Sequence, residues 1–168
     1  MVLVLIGIIA AVVAPRLGNI SSTKAGAFID KLRADIRYAQ NLAMTRNLRS
    51  RVYFNGTGGA PALGYAVVSS ATSTCSAFSP ATDPATGQTL SIDLTLATYS
   101  GAGITLTLPA MTCLEYDSLG RPYNCTGISP LLPGSSCFNV ISVLTVTINA
   151  PAGVVGSITV SSQTGAVN

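Results

Sequence analysis

Residues 25–46 read AGAFIDKLRADIRYAQNLAMTR, and this stretch decides how the rest of the chain is organised. Residues three and four apart share one side of an α-helix, so apolar residues at that spacing predict a helix with one buried face. The charged residues Lys31, Asp35 and Arg46 fall elsewhere on the helical wheel. We expect this amphipathic helix to cover a β-sheet. The apolar positions at this spacing are Phe28, Leu32, Ile36, Ala39 and Ala43.

An uncharged apolar segment precedes that helix, because residues 1–14 (MVLVLIGIIAAVVA) include no polar side chain. As a helix it would span about 21 Å, which is short of the ~30 Å core of a bilayer. Three interpretations are open: a buried core segment, a cleaved secretory signal ending at Ala14, or a membrane helix that begins upstream of Met1. We favour the membrane helix, since no basic region precedes the run and Pro15 would directly follow the signal cleavage site.

Pro15 and Gly18 interrupt the helical pattern between these two segments. Proline removes one helical hydrogen bond and glycine weakens a helix further, which predicts a flexible joint here. A second helix start signal follows at residues 21–23 (SST). The predicted organisation is a membrane or filament-core helix over 1–23, an amphipathic helix over 24–50 and a β-rich head over 51–168.

Charge and composition divide the chain in the same way. Eight of the nine basic residues and two of the six acids lie at or before Arg51, so the net charge of +3 divides into +6 and −3. From residue 57 to the end, 31 of 112 residues are Ser or Thr. These features are typical of a basic helical front end joined to a near-neutral β head.

The head contains several short segments with strand patterns. Two of them, 90–97 and 104–108, alternate apolar and polar residues, which predicts a sheet with one wet face. A helix packed on such strands gives an α+β fold, with a long hydrophobic-then-amphipathic helix on a mainly antiparallel sheet. The predicted strands are 51–55, 64–69, 90–97, 104–108, 113–116, 140–149 and 157–161.

Four cysteines lie in the head, and their even number in a Ser/Thr-rich exported-looking domain predicts two disulfides. No CxxC pair and no His are present, so a zinc site is not expected. Four cysteines allow three connectivities, which the sequence alone leaves open. We expect Cys125 to pair with Cys137 across a Pro/Gly loop, which leaves Cys75 for Cys113.

Catalysis is not expected, because without any His a Ser nucleophile lacks its usual base. The carboxylates occur singly, and Glu115 and Asp117 are predicted to lie on a wet strand face or turn. No catalytic residue, cofactor, metal or small-molecule substrate is therefore expected. Nucleic acid is also not favoured as a partner: the last eight residues, SSQTGAVN, contain no cation, and phosphate contacts need cations.

The stretch IGIIAAVVAPR at 6–16, followed by RYAQNLAMTRN at 37–47, resembles type IV pilin-like proteins. Within that family the chain is similar to the GspH/FimT-type pseudopilins and related minor pilins. YDSLGRP at 116–122 looks like the aromatic-Asp-x-x-Gly-Arg-Pro turn of that subfamily, and SITVSSQTGAV at 157–167 resembles its last strand and terminal Thr-Gly turn. Family members begin with a basic leader, a Gly–Phe cleavage site and an acidic residue. None is present here, so leader processing and N-methylation are assigned to no residue.

The resemblance implies a structural pilin or pseudopilin subunit, in a minor role, of a type IV pilus or a type II secretion pseudopilus. It implies the bacterial inner membrane with the head in the periplasm, and as partners other subunits and the assembly platform. Aligning Pro15 with the family's helix proline leaves roughly seven residues upstream of Met1, which would extend the apolar helix to ~32 Å. The residues expected to pack in the membrane and filament are Val2, Leu3, Val4, Leu5, Ile6, Ile8, Ile9, Val12 and Val13.

Two alternatives to the filament subunit remain. The first is an exported binding module from which residues 1–14 are cleaved. The second is a minor pilin that takes part in DNA uptake, as some FimT-type relatives do through basic residues near the C-terminus. The two main interpretations differ in whether the apolar segment survives in the mature protein.

Overall fold

The computed structural model describes residues 20–56, 60–70, 80–96, 98–108, 113–125, 137–139, 144–151 and 153–168. These residues form one α-helix, α1 (Ile20–Arg46), and nine β-strands. The strands are β1 (Arg49–Phe54), β2 (Gly64–Ser70), β3 (Ser91–Asp93), β4 (Thr105–Thr107), β5 (Cys113–Tyr116), β6 (Pro122–Cys125), β7 (Cys137–Asn139), β8 (Leu144–Ala150) and β9 (Gly153–Val160).

The C-terminal end of α1 is set by Asn47, which takes a left-handed conformation with φ of 51°. The backbone N–H of Leu48 then donates to the carbonyl of Ala43 at 3.2 Å. This is the hydrogen bond of a Schellman motif, in which a residue with positive φ follows the last helical turn. The chain reverses within these residues, so β1 starts at Arg49 and runs back beside the helix.

The strands form two antiparallel sheets. Sheet 1 has six strands in the order β3-β2-β1-β5-β6-β7, and sheet 2 has three in the order β4-β8-β9. Most of the partners in sheet 1 are neighbours in sequence, but β1 pairs with β5 across the segment that contains β2, β3 and β4. In sheet 2 the pairing of β8 with β9 shifts register between Ile148 and Asn149.

The main apolar cluster joins α1 to both sheets. Helix residues Phe28, Leu32 and Ile36 are fully buried in it, and the ring of Phe28 lies 5.9 Å from that of Tyr65 on β2. Helix α1 therefore brings the two sheets into one core, although among the described strands none of sheet 1 pairs with one of sheet 2. The sheet residues in this cluster include Val52, Phe54, Val67, Leu114, Tyr116, Leu106, Val146, Ile148, Ile158 and Val160.

The predicted fold class is wrong in its helix and in its sheet. Helix α1 is amphipathic from its start, and none of the described helical segments is long and apolar enough to cross a membrane. The strands form two sheets and dominate the described part of the chain, where one sheet was expected. The physical reason is that period-2 patterns reveal which face of a strand is buried but not which strands pair.

Most predicted strand positions in the described part of the chain are confirmed, with shorter bounds for 90–97, but two strands were missed. β6 begins with Pro122, and β7 has three residues after a segment rich in Gly, Pro and Ser. Pro122 is tolerated because it lies opposite Tyr116, at a position where β6 need not donate a hydrogen bond to β5. Both strands are too short to produce an alternation that sequence analysis would detect.

Candidate functional site

Most of the residues predicted to carry the function lie outside the described residues. These are the apolar packing positions Val2, Leu3, Val4, Leu5, Ile6, Ile8, Ile9, Val12 and Val13, the hinge residues Pro15 and Gly18, and Cys75. The described residues instead place several polar side chains where α1 meets the sheets and turns. The geometry of these contacts defines how the helix holds the head.

A carboxylate on the buried side of α1 connects the helix to sheet 1. Asp35 is 4% exposed. Its Oδ2 accepts a hydrogen bond from the Tyr65 hydroxyl at 2.7 Å, and its Oδ1 accepts one from Lys31 Nζ at 2.7 Å. Lys31 also donates to Asp83 Oδ2 at 3.2 Å. The four side chains thus join α1 to β2 and to the segment before β3.

The electrostatics of this cluster follow from its burial. Desolvation, together with the charge of Asp35, holds the pKa of Tyr65 well above its usual value, so the phenol stays a donor. Burial lowers the pKa of Lys31, but its bonds and charge interactions with Asp35 and Asp83 outweigh that effect and the pKa is raised. The backbone N–H of Ala85 holds the pKa of Asp83 below its usual value, and Lys31 adds to this effect. Lys31 and Asp83 therefore stay charged at neutral pH.

Farther along the helix, Gln40 fastens α1 to two turns. Its Nε2 donates to the carbonyl of Gly120 at 2.9 Å and to that of Thr164 at 2.9 Å. Gly165 lies between them with φ of 67°, and a Cβ there would lie 2.5 Å from the Gly120 oxygen. Arg37 adds a bond from Nη2 to the Val167 carbonyl at 2.7 Å. These contacts join α1 to the C-terminal segment and to the β5–β6 turn.

The β5–β6 turn is organised by Asp117. Its carboxylate accepts bonds from the backbone N–H groups of Leu119 and Arg121 at 2.9 Å, from Arg121 Nε at 2.9 Å and from the Tyr123 hydroxyl at 3.0 Å. Partial burial raises the pKa of Asp117, but these bonds outweigh that and hold it below its usual value. The carboxylate has a structural role in the turn, with Leu119 70% exposed at its tip.

The prediction that Glu115 lies on a wet face is wrong. Glu115 and Arg51 are opposite one another on β5 and β1, and both are fully buried. Glu115 accepts from Arg51 Nε, and its other oxygen accepts from Arg49 Nη1 at 2.6 Å. A buried carboxylate is tolerated because two guanidinium groups compensate its charge. Sequence analysis could have identified this pair only by knowing that the strand with the Arg and the strand with the Glu are neighbours. A single sequence does not reveal which strands are neighbours.

An open cleft of about 240 Å³ lies beside α1. The hydroxyl of Tyr38 donates to the carbonyl of Thr82 at 3.3 Å and bridges the cleft walls. Arg46 is the charged residue of the lining, and no carboxylate is among the lining residues. Among the described residues, the cleft therefore brings together no acid–base pair for catalysis. The lining residues are Tyr38, Leu42, Arg46, Ser69, Pro80, Ala81 and Thr82.

The cysteine positions fall on adjacent strands of sheet 1. Cys113 is buried on β5, and the backbone register places it opposite Cys125 on β6, which is in turn opposite Cys137 on β7. The predicted pair of Cys125 and Cys137 thus occupies neighbouring backbone positions. The second predicted pair includes Cys75, which lies outside the described residues. In the described part of the chain, no three His, Cys, Asp or Glu side chains form a group that could hold a metal ion.

Comparisons with known proteins add nothing to this picture, because no family model, no curated protein and no solved structure matches the chain.

Sequence analysis identified the buried face of α1 but missed the acid on it, Asp35. Its spacing of four from Lys31 is a signal for an ion pair, yet it says nothing of Tyr65 on β2. The functional argument thus depends on the apolar segment and on how α1 holds the head.

Proposed function

We propose that the chain is a structural subunit of a pilus-like or pseudopilus-like filament. The observation that carries this proposal is that the apolar segment and the helix that holds the head are close together in the sequence. An uncharged apolar segment, 1–14, is separated only by residues 15–19 from α1, and α1 is the element against which both sheets pack. A subunit of this kind is held by its apolar segment in a membrane and then among equivalent segments of neighbouring subunits.

The driving force for both steps is the burial of apolar surface, at roughly 25 cal/mol per Å² removed from water. The polar contacts of α1 support the same role. Asp35, Arg37 and Gln40 each bond to a different part of the head, so a pull on the N-terminal segment is distributed over sheet 1, the β5–β6 turn and the C-terminal segment. A subunit under tension in a filament requires this connection between its anchor and its head.

The first test is the N-terminal sequence and intact mass of the protein purified from the membranes of its own cells. We expect a mature protein that keeps residues 1–14, with additional residues and a methylated terminus upstream of Met1 as the signature of pilin processing. A mature terminus at or after Pro15 would contradict the filament proposal. It would favour the exported binding module with a cleaved signal.

A second test places a charge in the apolar segment. The substitution Ile8→Arg should remove the protein from the membrane fraction and from sheared filaments, because a charge at the centre of a membrane segment costs about 3 kcal/mol on insertion scales. The matched control is Leu119→Arg, which puts the same charge on an exposed turn of the head. Normal assembly of the Ile8→Arg protein would contradict the proposal.

A further inference from the structure

Three cysteine positions form a row across one side of sheet 1. Cys113 on β5, Cys125 on β6 and Cys137 on β7 are consecutive backbone partners in the antiparallel register. Cys125 is the middle position, so it has a cysteine opposite it on each neighbouring strand. The two possible pairs are not equivalent, because the hydrogen-bond pattern of an antiparallel ladder alternates between close and wide positions.

The β5–β6 turn fixes that alternation. The backbone N–H of Asp117 donates to the carbonyl of Arg121 at 3.2 Å, so these residues form a hydrogen-bonded pair. Every second pair along the ladder repeats this arrangement, which makes Cys113 and Cys125 a hydrogen-bonded pair as well. Pro122 fits this alternation. It has no N–H, and it falls at a non-hydrogen-bonded position, where β6 donates no N–H to β5.

The same alternation determines whether Cys125 and its partner on β7 form a hydrogen-bonded or a non-hydrogen-bonded pair. A strand residue directs its N–H and C=O to the same neighbour, and those of Cys125 point toward β5. Cys125 and Cys137 are therefore a non-hydrogen-bonded pair. Such pairs have Cα atoms about 4.5 Å apart, against about 5.5 Å for hydrogen-bonded pairs, with their side chains closer. A disulfide needs Cβ atoms only about 3.8 Å apart, so the closer pair is the better substrate for oxidation.

From this alternation of pairs we propose that Cys125 forms a disulfide with Cys137 and not with Cys113. The bond clamps β7 to β6 at the edge of sheet 1. The two thiols lose two electrons and two protons to a disulfide-bonded thiol oxidoreductase, whose own disulfide becomes a dithiol. The transfer passes through a mixed disulfide between the two proteins, which the second cysteine thiolate resolves.

The position of β7 explains why a covalent bond is useful there. β7 has three residues, is the last strand in the order of sheet 1, and pairs with β6 alone among the described strands. Pairing over so short a length contributes little stability by itself. The bond also closes a covalent ring that includes residues 126–136, which restricts the unfolded chain. Cys113 remains in the apolar cluster with Tyr53, Ala60, Ala66 and Val68.

The test is disulfide mapping of the full chain, purified from an oxidising compartment with free thiols blocked by alkylation. Trypsin is unsuitable because no Lys or Arg follows Arg121, but chymotrypsin cuts after Tyr116, Tyr123, Leu131 and Phe138 and separates the three cysteines. We expect the peptides 124–131 and 132–138 to be linked. A link between Cys113 and Cys125, or alkylated thiols at both Cys125 and Cys137, would overturn the proposal.

Two variants give an independent readout. The Cys113→Ala chain should keep the link between 124–131 and 132–138, since Cys113 takes no part in it. Reduction of the wild-type protein should lower its thermal midpoint and speed chymotrypsin cleavage at Phe138. The Cys137→Ala protein should be cleaved at Phe138 as fast as the reduced wild type, even before any reductant is added. If reduction leaves the cleavage rate at Phe138 unchanged in the wild type, the clamp is absent.

Discussion

At the scale of single residues, Asp35 shows how a charge is accommodated on the buried side of α1. It is compensated by Lys31 one helical turn earlier and by the hydroxyl of Tyr65 on β2. Replacing it with Ala leaves the buried phenol without this acceptor and removes two bonds to a charged group. We expect Asp35→Ala to lower the free energy of unfolding by about 3 kcal/mol, measured by urea denaturation of the full chain in detergent.

The matched control for this prediction is Asp30→Ala on the same helix. Asp30 also pairs with a base, Arg33, but its side chain is 77% exposed. A surface pair of this kind contributes little, so Asp30→Ala should change the free energy of unfolding by no more than about 0.5 kcal/mol. Equal effects of the two substitutions would mean that the cluster around Asp35 adds nothing to the attachment of α1.

At the scale of elements, the contact of α1 with the two turns depends on a glycine. A Cβ on Gly165 would lie 2.5 Å from the Gly120 oxygen and 2.7 Å from Gln40 Nε2. Gly165→Ala therefore combines an unfavourable positive φ with the displacement of the Gln40 bond, and should cost about 3 kcal/mol. The measurement is the thermal midpoint of the full chain by circular dichroism.

Gly87→Ala separates the two contributions at Gly165. Gly87 has a similar φ of 71°, but a Cβ there would meet nothing within 4 Å. Its substitution should cost only the backbone strain, about 1 to 2 kcal/mol. A Gly165→Ala protein no less stable than Gly87→Ala would show that the contacts among Gln40, Gly120 and Gly165 do not matter for the head.

The elements also show how far sequence reasoning reaches. Spacing in the helix predicted the buried positions Phe28, Leu32 and Ile36, because one helix face repeats within a local stretch. It failed where the outcome depends on distant partners. Glu115 is buried because β1 places Arg51 opposite it, and the division of the strands between two sheets is likewise a matter of pairing. The most apolar segment, 1–14, is the one on which the functional prediction depends, and it lies outside the described residues.

At the scale of the whole molecule, the turns between strands make the head sensitive to acid. Asp83, Asp93 and Asp117 have pKa values held below their usual 3.8, chiefly through hydrogen bonds to their own turns. A carboxylate with a lowered pKa in the folded state contributes stability that is fully present above its unfolded pKa. That stability is lost as the pH falls through the folded pKa, because the unfolded chain then binds protons more readily.

We therefore expect the thermal midpoint of the full chain to be constant between about pH 7 and pH 5 and to fall as the pH drops through about 4 and below. The Asp117→Asn variant isolates one contribution: it should be less stable than the wild type at neutral pH and should lose less on acidification. Asp117 is the informative choice because its side chain is only 14% exposed and its carboxylate accepts hydrogen bonds from both Arg121 and Tyr123. Parallel acid profiles for the two proteins would mean that the carboxylate of Asp117 does not couple protonation to folding, and the acid response would then have to come from Asp83 and Asp93.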